Sequence, residues 1–452
     1  MAGERLTLKA ELFCASVRDG THDSPKPASG GKYLVTSRHI IGGKVDLSNA
    51  YLISQEDFDN INKRSKVDKW DVLISMIGTV GEVCLVKEEP DFAIKNIGLF
   101  KAKGEIEGKW LYYYLQSPQA KQHMLEQSRG TTQAYIPLGS LRVFPILIQE
   151  NKKEMQAIAH ILGTLDDKIE LNRKMNKTLE EMARAIFKSW FVDFDPLHAK
   201  AAVRRDHPNW TNAQVSRAAL PNLSPEIAEL FPDALEDSDL GEIPKGWNIL
   251  PLSDVCKRIT DGSHFSPKSV DVGRPMASVK DMRDWGFELS DCRRISEDNY
   301  QELVRNDCRP LAGDVLIAKD GSYLKHIFVV EDDLDLVILS SIAILRPNEK
   351  LDSHLLAFSL KGDETMIRMK QYVSGAVLQR IVLKDFRTFP LLVPSREVQQ
   401  TWTRMVNPFI KRCWRNINEN EALCAIRDTL LPKLISGELR IKNAEQILQR
   451  SL

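Results

Sequence analysis

No stretch of this chain comes near the roughly 18 successive apolar residues that a bilayer-crossing helix needs. The amino-terminal MAGERLTLKAEL also lacks the apolar core of an export signal. Net charge is missing too: 62 Lys+Arg balance 62 Asp+Glu, so the whole-chain field does not point to a polyanion. A local basic face can still sit on a neutral whole. Cysteine is sparse and scattered (Cys14, Cys84, Cys256, Cys292, Cys308, Cys413, Cys424), with no CxxC pair. An odd, dispersed set reads as reduced thiols in a cytoplasmic protein.

Catalytic signatures are missing as well. The closest approach to a phosphate loop, Gly104 to Lys109, is one residue short and runs into Trp110. Asn407-Pro-Phe409 has one proline too few for an amino-methyltransferase motif, and no glycine-rich cofactor loop precedes it; a turn opening a helix explains it. There is no HExxH, and the nine histidines do not cluster. The residues describe a binder without a cofactor or metal of its own.

What is present is a duplication. Asp19-Gly-Thr-His-Asp-Ser-Pro-Lys26 returns 242 positions later as Asp261-Gly-Ser-His-Phe-Ser-Pro-Lys268, with six of eight residues identical. Trp70-Asp-Val-Leu-Ile-Ser75 returns as Gly313-Asp-Val-Leu-Ile-Ala318. The stretch from Gly130 to Ile148 returns as Gly375 to Val393, sharing Ile136/Ile381, Leu138/Leu383, Arg142/Arg387 and Phe144-Pro145/Phe389-Pro390. Three blocks in one order at nearly one offset mean two copies of one unit. Within each copy, β-branched runs (71–75, 82–86, 93–101; 337–346 in copy two) predict strands around a glycine turn, and 108–127 predicts helix. The repeated Asp-Gly-[Ser/Thr]-His predicts a tight turn, with Asp capping backbone N–H groups and Gly supplying a positive φ. A nucleic-acid contact from its hydroxyl or imidazole, or acid–base work, are the alternatives.

Each copy is followed by a long helical pattern. In the first, Met155, Leu162 and Ile169 fall seven apart, and Ile158, Leu165, Leu179 and Ile186 take the alternate seam position. Asn172 and Asn176 interrupt the seam, a pattern that sets register at a cost in stability. In the second, Ile410, Cys413, Ile417, Asn420, Leu423, Leu430 and Leu434 carry the apolar face, and Asn420 again offers a polar group. Pro408 predicts a kink or a late start, near Phe409. Residues 195–245 read as a connector with short helices.

Three further stretches, Lys188-Ser-Trp-Phe-Val-Asp-Phe-Asp-Pro196, Gly241-Glu-Ile-Pro-Lys-Gly-Trp247 and Leu430-Leu-Pro-Lys-Leu-Ile-Ser-Gly-Glu-Leu439, join the paired blocks in resembling the specificity subunit of type I restriction-modification enzymes, over nearly the whole chain. The resemblance implies an α+β fold: two similar α/β target-recognition domains separated by two long conserved helices in an antiparallel coiled coil. The corresponding boundaries are 1–148, recognition domain one; 149–194, spacer helix; 195–245, connector; 246–394, recognition domain two; and 395–452, second helix and tail. It further implies a non-catalytic DNA-binding chain that takes no cofactor. Its partners would be double-stranded DNA, two methylation subunits carrying S-adenosylmethionine, and ATP-dependent restriction/translocation subunits. One departure stands out: the first copy lacks the Gly246-Trp247 opening, which predicts either a shorter first strand or a start placed too late.

Under that reading a split, asymmetric site is read by polar loop residues. The candidates in the first copy are Ser37, Arg38, His39, Arg129, Thr131, Thr132, Gln133 and Tyr135. In the second they are Lys280, Lys319, Ser322, Tyr323, Lys325, Gln379 and Arg380. Lys26 and Lys268 are candidates for phosphates. Met182, Phe187 and Trp190 are candidates for partner docking, with core packing the simpler role for each. Two other classes stay open on residues alone: a protein adaptor on a coiled-coil spine, and a fused recognition–methylation enzyme.

Overall fold

In the computed structural model, which describes residues 5–130, 134–149, 151–320, 324–374 and 379–451, the duplicated blocks become duplicated sheets. Strand Val72–Ser75 lies between Val83–Leu85 and Ile97–Lys101, with Ser16–Asp19 beyond the latter. In the second copy Val315–Ala318 lies between Ile327–Val329 and Ile342–Pro347, with Cys256–Asp261 beyond. All pairings in these two four-stranded sheets are antiparallel. The central strands are buried on both faces, which is why they read as unbroken apolar runs rather than alternating ones.

A three-stranded sheet repeats as well. Lys32–Thr36 pairs antiparallel with Tyr51–Ile53 and parallel with Phe92–Lys95. Arg274–Ala277 does the same with Arg294–Ile295 and Val337–Ile338. Each copy closes by pairing its first strand with its last, Arg5–Lys9 with Pro145–Gln149 and Asn248–Pro251 with Pro390–Val393. The expected shortening of the first strand is therefore corrected: it has five residues against four in the second copy. Its backbone pairs fully with Pro145–Gln149 without a Gly-Trp lead-in.

The aspartate of the repeated Asp-Val-Leu-Ile block is the buried electrostatic anchor of each copy. Asp314, with no exposed surface, accepts both prongs of Arg346, Nε at 2.7 Å and a terminal nitrogen at 2.8 Å. Asp71 accepts from Lys101 Nζ at 2.6 Å and from the Ala102 backbone N–H at 3.0 Å. Burying either carboxylate is tolerable only because a cation and further donors meet it.

The chain forms two compact units, residues up to Arg173 with Ile417 onward, and Lys174–Asn416. Two long helices, Lys152–Phe191 and Arg396–Ser436, each contribute to both. Within the first unit they run antiparallel: Asp166 meets Arg427 at 2.9 Å, and Asn172 meets Asn420 at 2.9 Å. In the second unit Asn416 donates to Asn176 Oδ1 at 2.7 Å, and Phe187 packs on Trp402, with ring centroids 5.8 Å apart. Seam residues Met155, Ile158, Leu162, Leu165 and Ile169 are buried as the heptads predict. Pro408 neither delays nor breaks the second helix, which is continuous from Arg396. Val398, Trp402, Val406 and Ile410 are almost wholly buried on one face and hold the chain helical on both sides of the lost hydrogen bond.

Between the helices, residues 195–245 form helices Asp195–Asp206, Asn212–Ala219 and Pro225–Ala228, then the hairpin Leu235–Ser238/Gly241–Pro244. Lys200, fully buried, holds the three together: its ammonium donates to Asn212 Oδ1 at 2.8 Å and to the carbonyls of Ala228 at 3.1 Å and Phe231. Burial lowers the pKa of this amine. No described helix is long and apolar enough to cross a membrane.

Candidate nucleic-acid interface

One edge of each copy gathers most of the exposed polar candidates, and the chain builds it twice in the same way. In the first unit Lys95 is the meeting point. It pairs with Thr36 at the end of the parallel strand and forms a parallel bridge to Thr21. This brings the turn after Asp19 and the turn after Thr36 side by side. In the second unit Ala277 pairs with Ile338 and Ser263 bridges Leu339, with the same result.

The turn after each parallel strand is one turn of 3-10 helix, Ser37–His39 and Val279–Asp281. Its third residue faces inward and caps its start. His39 Nδ1 accepts from the Thr36 backbone N–H at 2.8 Å, and Asp281 Oδ2 accepts from that of Ser278 at 2.8 Å. Burial and the neighbouring Arg38 lower the His39 pKa, so the ring is held neutral and keeps its acceptor. His39, expected to contact DNA, is 2% exposed and occupied in this cap. The middle residue points out: Arg38 in one copy, Lys280 in the other, both exposed. Ser37 is half-buried and gives its hydroxyl to the Asn96 carbonyl at 3.1 Å.

The repeated Asp-Gly-[Ser/Thr]-His departs from expectation in two ways. Gly20 and Gly262 do not have positive φ; each is glycine because a Cβ would meet the backbone carbonyl of the adjacent strand, Ile94 O at 2.4 Å or Ile338 O at 2.2 Å. The aspartates pair with side chains rather than capping backbone. Asp19 binds His22 Nε2 at 3.0 Å and the Arg64 guanidinium; Asp261 binds Lys319 Nζ at 2.6 Å and His264 Nε2 at 3.3 Å. Lys319 is thus corrected from a DNA contact to an internal cation, 7% exposed, doing for Asp261 what Arg64 does for Asp19 from a different element.

The remaining loop meets the same edge. In the first unit Arg129 and Tyr135 exchange both backbone hydrogen bonds at 2.8 Å, and Tyr135 bridges Ile77 at the end of the central strand. In the second, Arg380 bridges Asp320, and the Ile381 N–H donates to the Lys319 carbonyl at 3.1 Å. Arg129, Tyr135, Lys325, Gln379, Arg380, Lys26 and Lys268 are all exposed. Thr131, Thr132, Gln133, Ser322 and Tyr323 lie outside the described residues. Among the described residues no group of His, Cys, Asp and Glu is arranged to hold a metal ion.

Such an edge presents cations, hydroxyl and amide groups from loops fixed on rigid strands, the equipment for phosphates and base edges. Comparison with known proteins gives the kind of protein the chain resembles. A family model described as the type I restriction modification DNA specificity domain matches residues 17–181. The specificity subunit of the type I restriction enzyme HindI from Haemophilus influenzae is 28% identical over 351 residues, 70% of this chain and 73% of that one. That of MjaIX from Methanocaldococcus jannaschii is 24% identical over 384 residues, 83% of this chain and 78% of the other. The chain is similar to type I restriction-modification specificity subunits over most of its length, and its residues 17–181 match their DNA specificity domain. The crystal structure of a type I S subunit from M. genitalium shares the fold, with a TM-score of 0.53 at 16% identity and 96% of each chain covered. These relatives are specificity subunits of restriction enzymes, and the matched domain is their DNA specificity domain.

Two features escaped the sequence reading. Asn416 is fully buried and bonded to Asn176, and its three-residue step from Cys413 on the seam was the available signal. Arg64 is the cation on Asp19, 45 residues away, and no local pattern announces that pairing. Of the docking candidates, Phe187 and Trp190 are buried in the second unit's core, whereas Met182 is 46% exposed.

Proposed function

We propose that the chain reads a split, asymmetric DNA site, one half with residues 1–148 and the other with 246–394. The helices 149–194 and 395–452 would fix the unread spacer, and 195–245 would connect. The observation that carries this is the edge built twice on shared anchors but dressed with different exposed side chains. Equal scaffolds with unequal faces suit two half-sites of unequal sequence. Arg38, Arg129, Tyr135, Lys280, Lys325, Gln379 and Arg380 would read bases, and Thr131, Thr132, Gln133, Ser322 and Tyr323 are further candidates. Lys26 and Lys268 would hold phosphates. Methylation and restriction subunits would dock on the helical region, with Met182 among the exposed contacts, and the complex would act in the cytoplasm.

The test is to insert about one helical turn after Leu179 and map modified adenines in cells that carry the methylation subunit. The expected result is a changed spacer, or lost modification, with both half-site sequences intact wherever modification survives. A change in the half-site sequences themselves would refute the division of labour.

A further inference from the structure

The two Asp-Gly-[Ser/Thr]-His turns share their construction up to one residue. Each leaves an outer strand of the four-stranded sheet, passes a glycine pressed on the neighbouring carbonyl, and bridges in parallel to the next strand. Each is then closed by the hydroxyl of its third residue. Thr21 Oγ1 accepts from the Asp23 N–H at 3.1 Å, and Ser263 Oγ accepts from the Phe265 N–H at 3.1 Å. Ser263 also donates to the Phe265 carbonyl at 2.7 Å. The hydroxyls are therefore spent inside the turn, and the side chain presented is that of the next-but-one residue. In the first unit this is a carboxylate, Asp23. In the second it is Phe265, 59% exposed, beside an exposed His264 and three residues before an exposed Lys268.

An exposed phenyl ring on a rigid turn is costly to leave in water, and this turn is anchored further by Arg293, which donates to Ser266 Oγ at 2.6 Å and to the Pro267 carbonyl. The counterpart in the first unit limits what the position can face. A carboxylate is repelled by phosphates and does not insert between stacked bases. It is accommodated at a base edge, where an exocyclic amino group donates to it. The major-groove feature that an aromatic ring can use from the same place is the C5-methyl of thymine.

Resting on the DNA-reading function proposed above, we propose that Phe265 is a specificity-determining residue of the second unit, packing on a thymine methyl in its half-site. Asp23 occupies the corresponding place against the first.

The experiment uses the full chain with its methylation subunit and the duplex site obtained by mapping modified adenines. Each thymine of the second half-site is replaced in turn by deoxyuridine, which removes only the methyl. One replacement is expected to weaken wild-type binding about three- to tenfold, the scale of one buried methyl. Phe265→Ala is expected to bind the thymine and deoxyuridine duplexes equally, with unchanged salt dependence and unchanged discrimination at the first half-site. Phe265→Leu should recover part of the discrimination, separating contact from folding. Wild-type indifference to every replacement, a second half-site without thymine, or discrimination retained by Phe265→Ala would each overturn the proposal. Failure of the underlying reading shows separately, as a wild-type complex that does not prefer the site over random duplex.

Discussion

Asn172 has no exposed surface, and its side-chain amide donates to Asn420 Oδ1 at 2.9 Å and to Glu419 at 2.9 Å. Its own carbonyl oxygen finds no partner among the described residues. A leucine here would remove an underbonded polar group from an apolar seam, whereas the asparagine fixes which residues face each other. Asn172→Leu made together with Asn420→Leu, so that neither amide is stranded, is expected to raise Tm by a few degrees while modification spreads to sites of altered spacer length. Calorimetry and mapping of modified adenines check the two halves; a lower Tm with an unchanged spacer would contradict the register role.

His39 supplies a pH dependence with a definite sign. Its folded pKa lies below the ordinary value, first because the ring is buried, so the unfolded chain takes up this proton before the folded one does. Stability from this group is complete above the unfolded value of about 6.5 and falls as the pH drops below it. Protonation also removes the Nδ1 acceptor that holds the Thr36 N–H. Acidification from pH 7.5 to 5.5 should lower the Tm of the wild type more than that of His39→Asn, whose amide oxygen can accept without titrating. Equal losses in both would show that the cap does not depend on the neutral ring.

The sequence made the large-scale plan legible because duplication leaves two readings of every element. The fully buried strands Val72–Ser75 and Val315–Ala318 were visible as paired apolar runs, and the seam from Met155 to Ile169 as heptads. Side-chain partnerships across long separations were not. Lys319 looks like any loop lysine until Asp261, 58 residues earlier, lies against it. Gly20 looks like a turn glycine until Ile94 crosses at the distance of a Cβ. Pro408 lies inside a continuous helix because the buried face at Trp402 and Ile410 overrides its local propensity.

Arg346 and Asp314 form a two-pronged pair around a carboxylate with no exposed surface. Removing one partner strands the other, which typically costs about 3–5 kcal/mol. Arg346→Met should therefore unfold the second unit at a lower temperature and abolish recognition of its half-site. Arg346→Lys keeps the charge without the fork and should fall between. Thermal melts of the three proteins would establish the order, and a wild-type Tm for the methionine variant would refute it.

Lys26 and Lys268 are exposed at corresponding places in the two copies, so neither has a core to disturb. A lysine on a phosphate adds affinity without sequence preference and releases about one counterion on binding. Lys26→Ala and Lys268→Ala should each leave Tm unchanged and weaken binding to cognate and random duplex alike. Each should also flatten the slope of log affinity against log salt by about one. Lys319→Met should behave in the opposite way, lowering Tm through the stranded Asp261 carboxylate without an equal loss of salt slope. Binding titrations across a salt series, run beside thermal melts, separate the classes. A reduced slope for Lys319→Met at unchanged Tm would return that lysine to the DNA-facing set.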